Sequence, residues 1–565
     1  MPAVVIGVLC HPEDVAVFGE FFELFKTPWE IYEPGRAYDV VLTTTGDVPD
    51  VDTGVLVIYG AHTRRGDERI VLATGDRRRG GAVRYRGRRL PIHGVMLTFA
   101  ERVPGTAYVT TPDGAIAGVR IRSGRLTVGR LGYDLVHEVR SLLSTGQPPQ
   151  DADVPSLDLH VAMLRTMIVE AGVPLVEIPP APAGHPFAVC LTHDIDFAGI
   201  RYHRLDRTMW GFLYRATVGA LGRVLRARLT LGRCLESWRA AATLPLVYLG
   251  WARDFWEPFG WYLRVEHGLP ATYFLIPFKR RPGDRVVARR ASQRATAYDV
   301  DDVAASAATL RRHGCELAVH GIDAWHSVDR GQAELSRIAR LSGEARIGVR
   351  MHWLCGDENT PRVLEDAGFA WDASLGYNEA VGYRNGTIQP FRPAGATTLL
   401  ELPLHIQDGA LFYPGRLDLS AADAWTCCAR LMEDADRHGG ALTVLWHDRS
   451  HAPERFWGDF YVRLVGALKA RGAWFGTAGE VVEWFAKRRA VRFERTATDA
   501  RPRYHGGEIN PPLTVRVHNP SAGAGPARWT DIPWTGRDVE DLEQQLARAA
   551  AGRDAALMPG VKACA

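Results

Sequence analysis

The chain of 565 residues is 46% hydrophobic and 24% charged, which fits two or three globular domains and excludes disorder over most of its length. Its formal net charge of +3 is too small to favour nucleic acid as a partner. The eight cysteines form no Cys-x-x-Cys pair, so neither a disulfide framework nor a cysteine zinc site is indicated. Free thiols in a reducing compartment are therefore expected.

The N-terminal stretch Met1–His11 is apolar but lacks the basic residues that begin a signal peptide, so it predicts a first strand. No stretch of the sequence reaches about 18 apolar residues without a charge, the length that a membrane-spanning helix needs. We therefore expect a cytoplasmic protein without a transmembrane segment.

Residues 1–150 predict a small α/β domain. Continuous apolar strands, typical of a parallel sheet, are expected at Val4–Val8, Tyr38–Leu42 and Val55–Tyr59. A helix is expected from Val15 to Phe25, and glycine-containing turns between Gly80 and Val128 predict hairpins. The order of elements resembles a degenerate glutamine-amidotransferase-like domain. It lacks a nucleophile elbow and a matching catalytic cysteine, so the resemblance implies no activity.

Residues 151–184 predict a helix followed by a proline-rich linker, Pro179–Gly184. A long insertion at residues 200–262 is rich in arginine, tryptophan and leucine, and it predicts two or three helices. The favoured interpretation is a helical excursion packed on the main domain. A peripheral contact with a membrane surface, through the basic and apolar side chains, is the alternative.

From residue 185 to 491, short apolar strands alternate with helical patterns. Beyond the apolar run of strand length in Pro186–Asp196, strands are expected at Ala271–Ile276, Glu316–His320, Ile347–Arg350, Leu399–Leu404, Leu442–His447 and Trp474–Phe475. This repetition predicts an α/β fold, a distorted (β/α) barrel with a parallel sheet. Residues 492–565 change character and predict a short β-containing appendage with a C-terminal helix and tail.

Residues with metal-binding chemistry follow two of these strands. Asp194 and Asp196 end the first strand, and His320 ends a later one. His326 follows His320 after five intervening residues, a spacing that zinc sites use. One aspartate with two histidines suits a hydrolytic divalent metal that keeps positions open for water and substrate. In barrels of this kind the carboxyl ends of the strands carry the chemistry, so these side chains are expected to lie together.

Two further residues complete the chemistry expected at this edge. Arg350 and His447 each end a predicted strand. The second aspartate can accept the proton of an attacking water, and a separate histidine can protonate the leaving group. An arginine can hold the base ionised and oriented. The pattern therefore indicates a hydrolase with a paired acid and base.

The region from about 185 to 490 resembles the polysaccharide deacetylase family, carbohydrate esterase family 4, in a divergent branch with an extra N-terminal α/β domain. Four motifs in the family's order carry this resemblance: Thr192–Asp196, Val319–His326, Gly348–Trp353 and Leu445–His447. The resemblance implies a barrel of the chitooligosaccharide-deacetylase type.

The resemblance also implies a role for each matched residue. Asp194 would be the general base, oriented by Arg350, and His447 the general acid. The implied metal ligands are Asp196, His320 and His326. The implied contacts with oxyanion and substrate are the backbone N–H of Trp353 and the cleft-loop residues Tyr377 and Arg384.

The sequence departs from the family pattern in the second and third motifs. The family separates its two histidines by three residues, whereas five separate His320 from His326, and Ala324 stands at the usual second position. Asp323 is the alternative ligand there. His352 stands where the third motif usually has proline.

Asp448, directly after His447, is a candidate to orient that histidine.

The sequence thus predicts a metal-dependent hydrolase that removes an N-acetyl or N-formyl group from an amino sugar, with a divalent metal, Zn²⁺ by preference, as cofactor. The expected partner is a carbohydrate, in particular a lipid- or nucleotide-linked glycan at the inner membrane face. Two alternatives stay open: an O-deacetylase of acetylated polysaccharide, and a non-catalytic glycan-binding protein with a decayed site.

Overall fold

The computed structural model describes residues 4–46, 51–64, 67, 72–100, 103–285, 293–495, 500–520 and 528–550. The chain divides into two compact units. The first takes the described parts of Met1–Leu142, Val154–Gly184 and Trp484–Ala565, and the second those of Leu143–Asp153 and His185–Glu483. Most of the stretches predicted as a linker and as a C-terminal appendage thus belong to the first unit.

In chain order the strands are β1 (Ile6–Leu9), β2 (Trp29–Ile31), β3 (Val40–Thr43), β4 (Val55–Tyr59), β5 (Thr74–Tyr85), β6 (Arg88–Phe99), β7 (Thr106–Thr110), β8 (Ile116–Ser123), β9 (Leu126–Leu131), β10 (Leu175–Glu177), β11 (Ala188–Ile195), β12 (Thr272–Leu275), β13 (Glu316–Gly321), β14 (Val349–Met351), β15 (Ile406–Gln407), β16 (Ala441–Leu445), β17 (Trp474–Phe475), β18 (Arg492–Arg495), β19 (Ala500–Arg503), β20 (Leu513–Asn519) and β21 (Arg528–Trp534).

The α-helices are α1 (Val15–Phe25), α2 (Leu135–Leu143), α3 (Ser156–Glu170), α4 (Arg207–Tyr214), α5 (Ala220–Leu225), α6 (Leu231–Tyr248), α7 (Phe259–Val265), α8 (Ala304–Arg312), α9 (Val328–Ser342), α10 (Thr360–Ala367), α11 (Asp408–Phe412), α12 (Ala421–His438), α13 (Gly458–Ala470), α14 (Ala478–Ala490) and α15 (Val539–Ala550). A π-helical turn, Arg215–Gly219, joins α4 to α5.

The first unit contains a mixed sheet with the order β2-β1-β3-β4-β9-β8-β6-β5-β7. Pairing is parallel from β2 to β9 and antiparallel beyond β9. Every side chain of β3 and β4 is buried, as expected for apolar strands that are covered on both faces. The predicted small α/β domain with later hairpins is confirmed.

A second, antiparallel sheet explains why the first unit takes segments from distant parts of the chain. Its order is β10-β20-β21, and Val176 of β10 faces Val517 of β20. The stretch 151–184, predicted as a helix and a proline-rich linker, therefore supplies an edge strand just before its prolines, and the predicted appendage supplies the two strands beside it.

The second unit is built on a ring of parallel strands. The sheet order is β14-β13-β12-β11-β16-β15, and β17 pairs in parallel with the start of β11. Between β14 and β15 the ring is completed by Asp372, which forms parallel bridges with Val349 and with Glu401. The chain continues from Glu401 into β15, which pairs with β16. The predicted distorted (β/α) barrel is thus confirmed.

Strand β11 lies between β12 and β16 in this sheet. All eight of its residues are buried, and its last four pair with β12 while its first five pair with β16. Because β11, β13, β14 and β16 are mutually parallel, their carboxyl ends lie at the same edge of the barrel. This edge carries the polar residues singled out in the sequence.

The insertion at residues 200–262 is helical, as predicted, and consists of α4, the π-helical turn, α5, α6 and the start of α7. It has a small core that includes Phe212, Leu244 and Trp256, and this core also contains Ala452 from the barrel. The interpretation of a helical excursion packed on the main domain is therefore confirmed.

The outer surface of the insertion exposes many large hydrophobic side chains: Leu205, Trp210, Tyr214, Val218, Leu221, Leu225, Leu231, Leu235, Trp238, Leu246, Leu249 and Trp251. Among the described residues, no helix has both the length and the apolar character needed to cross a bilayer. The contact with a membrane surface stays a prediction.

Candidate active site

Three side chains of metal-binding type meet at the carboxyl edge of the barrel. Asp196 follows β11, His320 lies near the end of β13, and His352 directly follows β14. Oδ1 of Asp196 lies 3.3 Å from Nε2 of His320 and 3.2 Å from Nδ1 of His352. The two histidine nitrogens are 2.9 Å apart. We call these residues the metal trio.

The surroundings of the metal trio fit a divalent cation. Nδ1 of His320 lies 3.1 Å from the carbonyl oxygen of Arg350 and donates to it, so in the neutral ring Nε2 turns its lone pair towards the other two residues. Burial lowers the pKa of His352, which favours a second neutral imidazole, although Asp196 opposes this. Electron-rich atoms this close together repel unless a positive charge lies among them.

The charge state of Asp196 supports the same fit. Burial alone would raise the pKa of this carboxyl, but in the absence of a cation His352 and His320, when protonated, hold it well below its usual range through the charge of His352 and their hydrogen bonds. An anionic oxygen with two imidazole nitrogens is a ligand set that zinc and similar divalent metals prefer.

His326, predicted as a metal ligand, lies elsewhere. Its Nε2 is 3.1 Å from Oδ1 of Asp323, and with Asp284 these residues form a separate cluster near the surface. The loop after β13 is held by Glu334, which accepts hydrogen bonds from the backbone N–H groups of Ile322 and Asp323. In this conformation the loop places His326 and the alternative Asp323 in a cluster separate from the metal trio.

His352 occupies the position that the sequence analysis assigned to His326. The register of the barrel explains this, because His320 of β13 faces Arg350 of β14 and His352 lies two residues beyond that partner. His352 lies inside the third motif, directly after the end of a strand, and this position was the signal that could have identified it as a ligand.

Asp194, the predicted base, lies beside the metal trio. Its Oδ2 is 3.8 Å from Nε2 of His320, and its Oδ1 accepts a hydrogen bond of 3.0 Å from Nη1 of Arg350. Arg350 is fully buried and is fixed by further donation to Thr192 Oγ1 and to the carbonyl of Ala373, each at 2.9 Å. The predicted role of Arg350 in orienting Asp194 therefore has a direct contact to act through.

His447, the predicted general acid, is held by Asp408. Nδ1 of His447 lies 2.5 Å from Oδ1 of Asp408, whose Oδ2 accepts from the backbone N–H of His447 at 2.9 Å and also from the hydroxyl of Ser450. Burial by itself would lower the pKa of His447. The charge of Asp408 and its hydrogen bond, with smaller contributions from Asp196 and Asp194, instead raise this pKa to about 9.

Asp448 does not orient His447, contrary to the candidate role given to it in the sequence analysis. Its Oδ2 accepts hydrogen bonds from the backbone N–H groups of Phe197 at 2.6 Å and Ala198 at 2.7 Å. It thus fixes the loop after β11 that carries Asp196. Asp408, the residue that does contact His447, follows the two-residue strand β15 and was missed because the sequence predicted that strand at Leu399–Leu404.

The three predicted contacts with oxyanion and substrate lie on two loops. Trp353 directly follows His352 with a left-handed backbone (φ 66°), and its carbonyl accepts from Asn378 at 3.0 Å. The hydroxyl of Tyr377 donates to the carbonyl of Gln147 at 2.6 Å, and Nη1 of Arg384 donates to the carbonyl of Gly376 at 2.9 Å. Tyr377 and Arg384 thus tie the loops together, while contact of the three residues with substrate stays a prediction.

Solved structures similar to this chain include several deacetylases. Agd3, a carbohydrate deacetylase, has 9% identity and a TM-score of 0.35 over 95% of this chain and 98% of that one. A protein from Mycobacterium smegmatis assigned as a polysaccharide deacetylase has 18% identity and a TM-score of 0.32 over 55% and 95% of the two chains. A mutant of BA3943, a CE4 family pseudoenzyme, with restored activity has 13% identity and a TM-score of 0.24 over 54% and 71%.

No family model matches the sequence, and no curated protein matches it either. Because all three TM-scores lie below 0.5, these similarities carry no conclusion about activity.

Proposed function

We propose that this protein is a metal-dependent hydrolase that removes an N-acetyl, or an N-formyl, group from an amino sugar. The observation that carries the proposal is the pairing of a buried base and a partly exposed acid beside one metal trio. Asp194 with Arg350 lies 3.8 Å from His320, and His447 with Asp408 contributes to the electrostatics of Asp196.

The residues divide the work of amide hydrolysis between them. A divalent cation held by the metal trio would polarise the acyl oxygen and lower the pKa of a bound water. Asp194 accepts the proton as the water oxygen attacks the acyl carbon, and Arg350 keeps this carboxylate anionic and correctly oriented. His447 then donates its proton to the sugar nitrogen as the C–N bond breaks, leaving a carboxylic acid and a free amine.

The acid supports an amide substrate over an ester. A departing amine must gain a proton before it can leave, whereas an alkoxide or alcohol depends less on strong protonation. Oδ1 of Asp408 lies 2.5 Å from Nδ1 of His447 and raises the pKa of this histidine to about 9, which favours its protonated form. This observation favours N-deacylation over the O-deacetylase alternative.

The alternative of a decayed, non-catalytic site was motivated by the unusual spacing of the histidines. His352 supplies the missing nitrogen within 3.2 Å of Asp196, so the spacing no longer supports decay. Zinc is the cation proposed on the basis of the ligand set.

The test combines metal analysis with an assay for released amine. Purified full-length protein should contain about one zinc or similar metal per chain, as expected for a single three-residue site. Asp196→Ala and His320→Ala should lose both the metal and the activity on N-acetylated amino sugars.

Asp194→Asn is the matched control for the catalytic step. It should retain the metal while its activity falls by about 10²–10⁴-fold, the usual contribution of general base catalysis. A protein that neither contains nor takes up a divalent metal would overturn the proposal.

A further inference from the structure

Arg449 is a buried arginine whose charge is only partly balanced by its surroundings. It is 7% exposed, and its guanidinium carbon lies 3.8 Å from the ring centre of Phe197 and 5.0 Å from that of Trp256. Its Nε is buried without a hydrogen bond, and in the part of the chain that the structure describes its guanidinium forms no ion pair. Two aromatic rings compensate only part of the cost of burying a charge.

Two more arginines lie around the same space. Nη2 of Arg455 donates to the hydroxyl of Tyr413 at 3.3 Å, and its guanidinium carbon lies 4.9 Å from the centre of that ring. Arg215 is half-buried and belongs to the π-helical turn of the insertion. The charges of Arg455, Arg449 and Arg215 together lower the pKa of Tyr413 to about 8, against the effect of burial. We call these three arginines the arginine cluster.

Two buried carboxylates interact electrostatically with the arginine cluster, Asp448 with Arg449 and Glu454 with two of its arginines. Glu454 attracts Arg215 and Arg449 without forming an ion pair with either, and its Oε2 accepts a hydrogen bond of 3.3 Å from Trp256. Arg223 adds a further cation at the same loop by donating to the carbonyl of Glu454 at 2.9 Å. Positive charge therefore exceeds negative charge in a largely buried place.

Such an arrangement is costly unless an anion completes it. Like charges repel more strongly where water is excluded, and burial already lowers the pKa of Arg449 to about 10. Guanidinium groups match the geometry of phosphate oxygens and bind them through paired, charge-assisted hydrogen bonds. A phosphate-type anion is the ligand whose chemistry fits this excess.

The arginine cluster adjoins the catalytic residues along the chain. Arg449 follows His447 by two residues, and Phe197, on which it stacks, directly follows Asp196. Tyr413 directly follows α11, the helix that begins with the aspartate bonded to His447.

We propose that the arginine cluster binds the phosphate or diphosphate group of the amino-sugar substrate. The identity of the sugar rests on the proposed function. The binding of an anion rests on the geometry of the arginine cluster itself. Nucleotide-linked and lipid-linked sugars share this diphosphate chemistry, and the exposed leucines and tryptophans of the insertion make the lipid-linked form worth testing alongside.

The first test is calorimetric titration of sodium pyrophosphate into the full-length protein. Arg449→Met and Arg455→Gln should each weaken binding by about ten- to a hundredfold, as expected for the loss of a charge-assisted hydrogen bond. Arg455 is partly exposed, so its variant keeps the test valid should Arg449→Met fail to fold. Arg239→Gln, which removes an exposed charge of α6, is the matched control and should bind like the wild type.

Pyrophosphate also binds metals, so its site must be located. Binding should persist in Asp196→Ala, which removes a residue of the metal trio. Binding that is lost in Asp196→Ala but unchanged in Arg449→Met and Arg455→Gln would overturn the inference, as would the absence of any binding to the wild type.

The second test compares kcat/KM for an N-acetylated amino sugar in free, nucleoside-diphosphate and polyprenyl-diphosphate form. One diphosphate form should exceed the free sugar by about tenfold or more, and Arg455→Gln should remove most of that advantage. The preferred diphosphate form shows whether the substrate is a nucleotide-linked or a lipid-linked sugar. Equal kcat/KM values for all three forms would overturn the inference. Cluster-dependent pyrophosphate binding with no hydrolysis of any sugar would instead contradict the proposed function alone.

Discussion

The barrel carries two clusters of aspartate and histidine that look alike in composition and differ in their surroundings. One is the metal trio of Asp196, His320 and His352, and the other consists of Asp284, Asp323 and His326. In both clusters the candidate ligand atoms lie within 4.8 Å of one another. Residue type and proximity therefore do not distinguish them.

The two clusters differ in the hydrogen bonds and ion pairs that each candidate ligand atom already forms within the protein. In the second cluster, Oδ1 of Asp323 accepts from the backbone N–H of Asp284 at 2.9 Å and from His326, while Arg330 pairs with Asp284 at 3.2 Å. Asp323 is thus stabilised by hydrogen bonds and Asp284 by an ion pair, and Asp284 is exposed to solvent. In the metal trio, lone pairs face one another in a largely buried place. A bound cation would supply the positive charge that stabilises them.

The largest expected effect follows from removing the residue that distinguishes the metal trio. His352→Ala should lower metal affinity by more than the roughly 10–100-fold that is usual for residues outside the ligand set, because it deletes a ligand itself. Activity should fall in parallel. Competition titration with a chelator measures the affinity, and released amine measures the activity.

Asp323→Ala is the control for this prediction, since it disrupts the second cluster to a similar extent. It should leave the metal affinity unchanged. If Asp323→Ala loses the metal while His352→Ala keeps it, the assignment of the two clusters is reversed.

The second prediction concerns the acid beside the metal trio. His447 has its pKa raised to about 9, so the protonated, active form is present below that pH and is lost as the pH rises through it. A cation bound to Asp196 would cancel the contribution of that residue, which leaves Asp408 as the main cause of the raised value. Asp408→Asn should therefore move the alkaline fall of kcat/KM to lower pH.

At pH 8 this variant should lose about tenfold in kcat/KM, less than the full 10²–10⁴-fold that general acid catalysis contributes. A pH profile from about 5.5 to 9.5 checks it. Ser450→Ala removes an uncharged donor to the same carboxylate and should shift the profile less. An alkaline limb that stays in place in Asp408→Asn would mean that another group protonates the amine.

The sequence predicted the barrel and part of this site because both depend on local signals. Apolar strands followed by helices predict a parallel sheet, and a polar residue at a strand end is visible without knowing its neighbours. Asp194, Asp196, His320, Arg350 and His447 were all found in this way, and the structure places them at one edge.

The errors arise where distance along the chain was used in place of register across the sheet. His326 was chosen by its spacing from His320, whereas His352 reaches the trio because β13 and β14 are neighbours. Asp408 follows a strand of two residues, too short to show a periodic pattern. The pairing of β10 with β20 joins segments far apart in sequence, and local sequence patterns do not predict such a contact.

The smallest effect is expected for His326→Ala, and this variant tests directly whether His326 is a metal ligand. His326→Ala removes one hydrogen bond, to an Asp323 oxygen that still accepts from the backbone of Asp284. We expect a loss of about 1 kcal/mol in the free energy of unfolding, typical of one hydrogen bond, with metal content and kcat unchanged. Urea denaturation and elemental analysis measure both quantities, and a metal-free His326→Ala protein would show that the loop after β13 closes onto the metal trio.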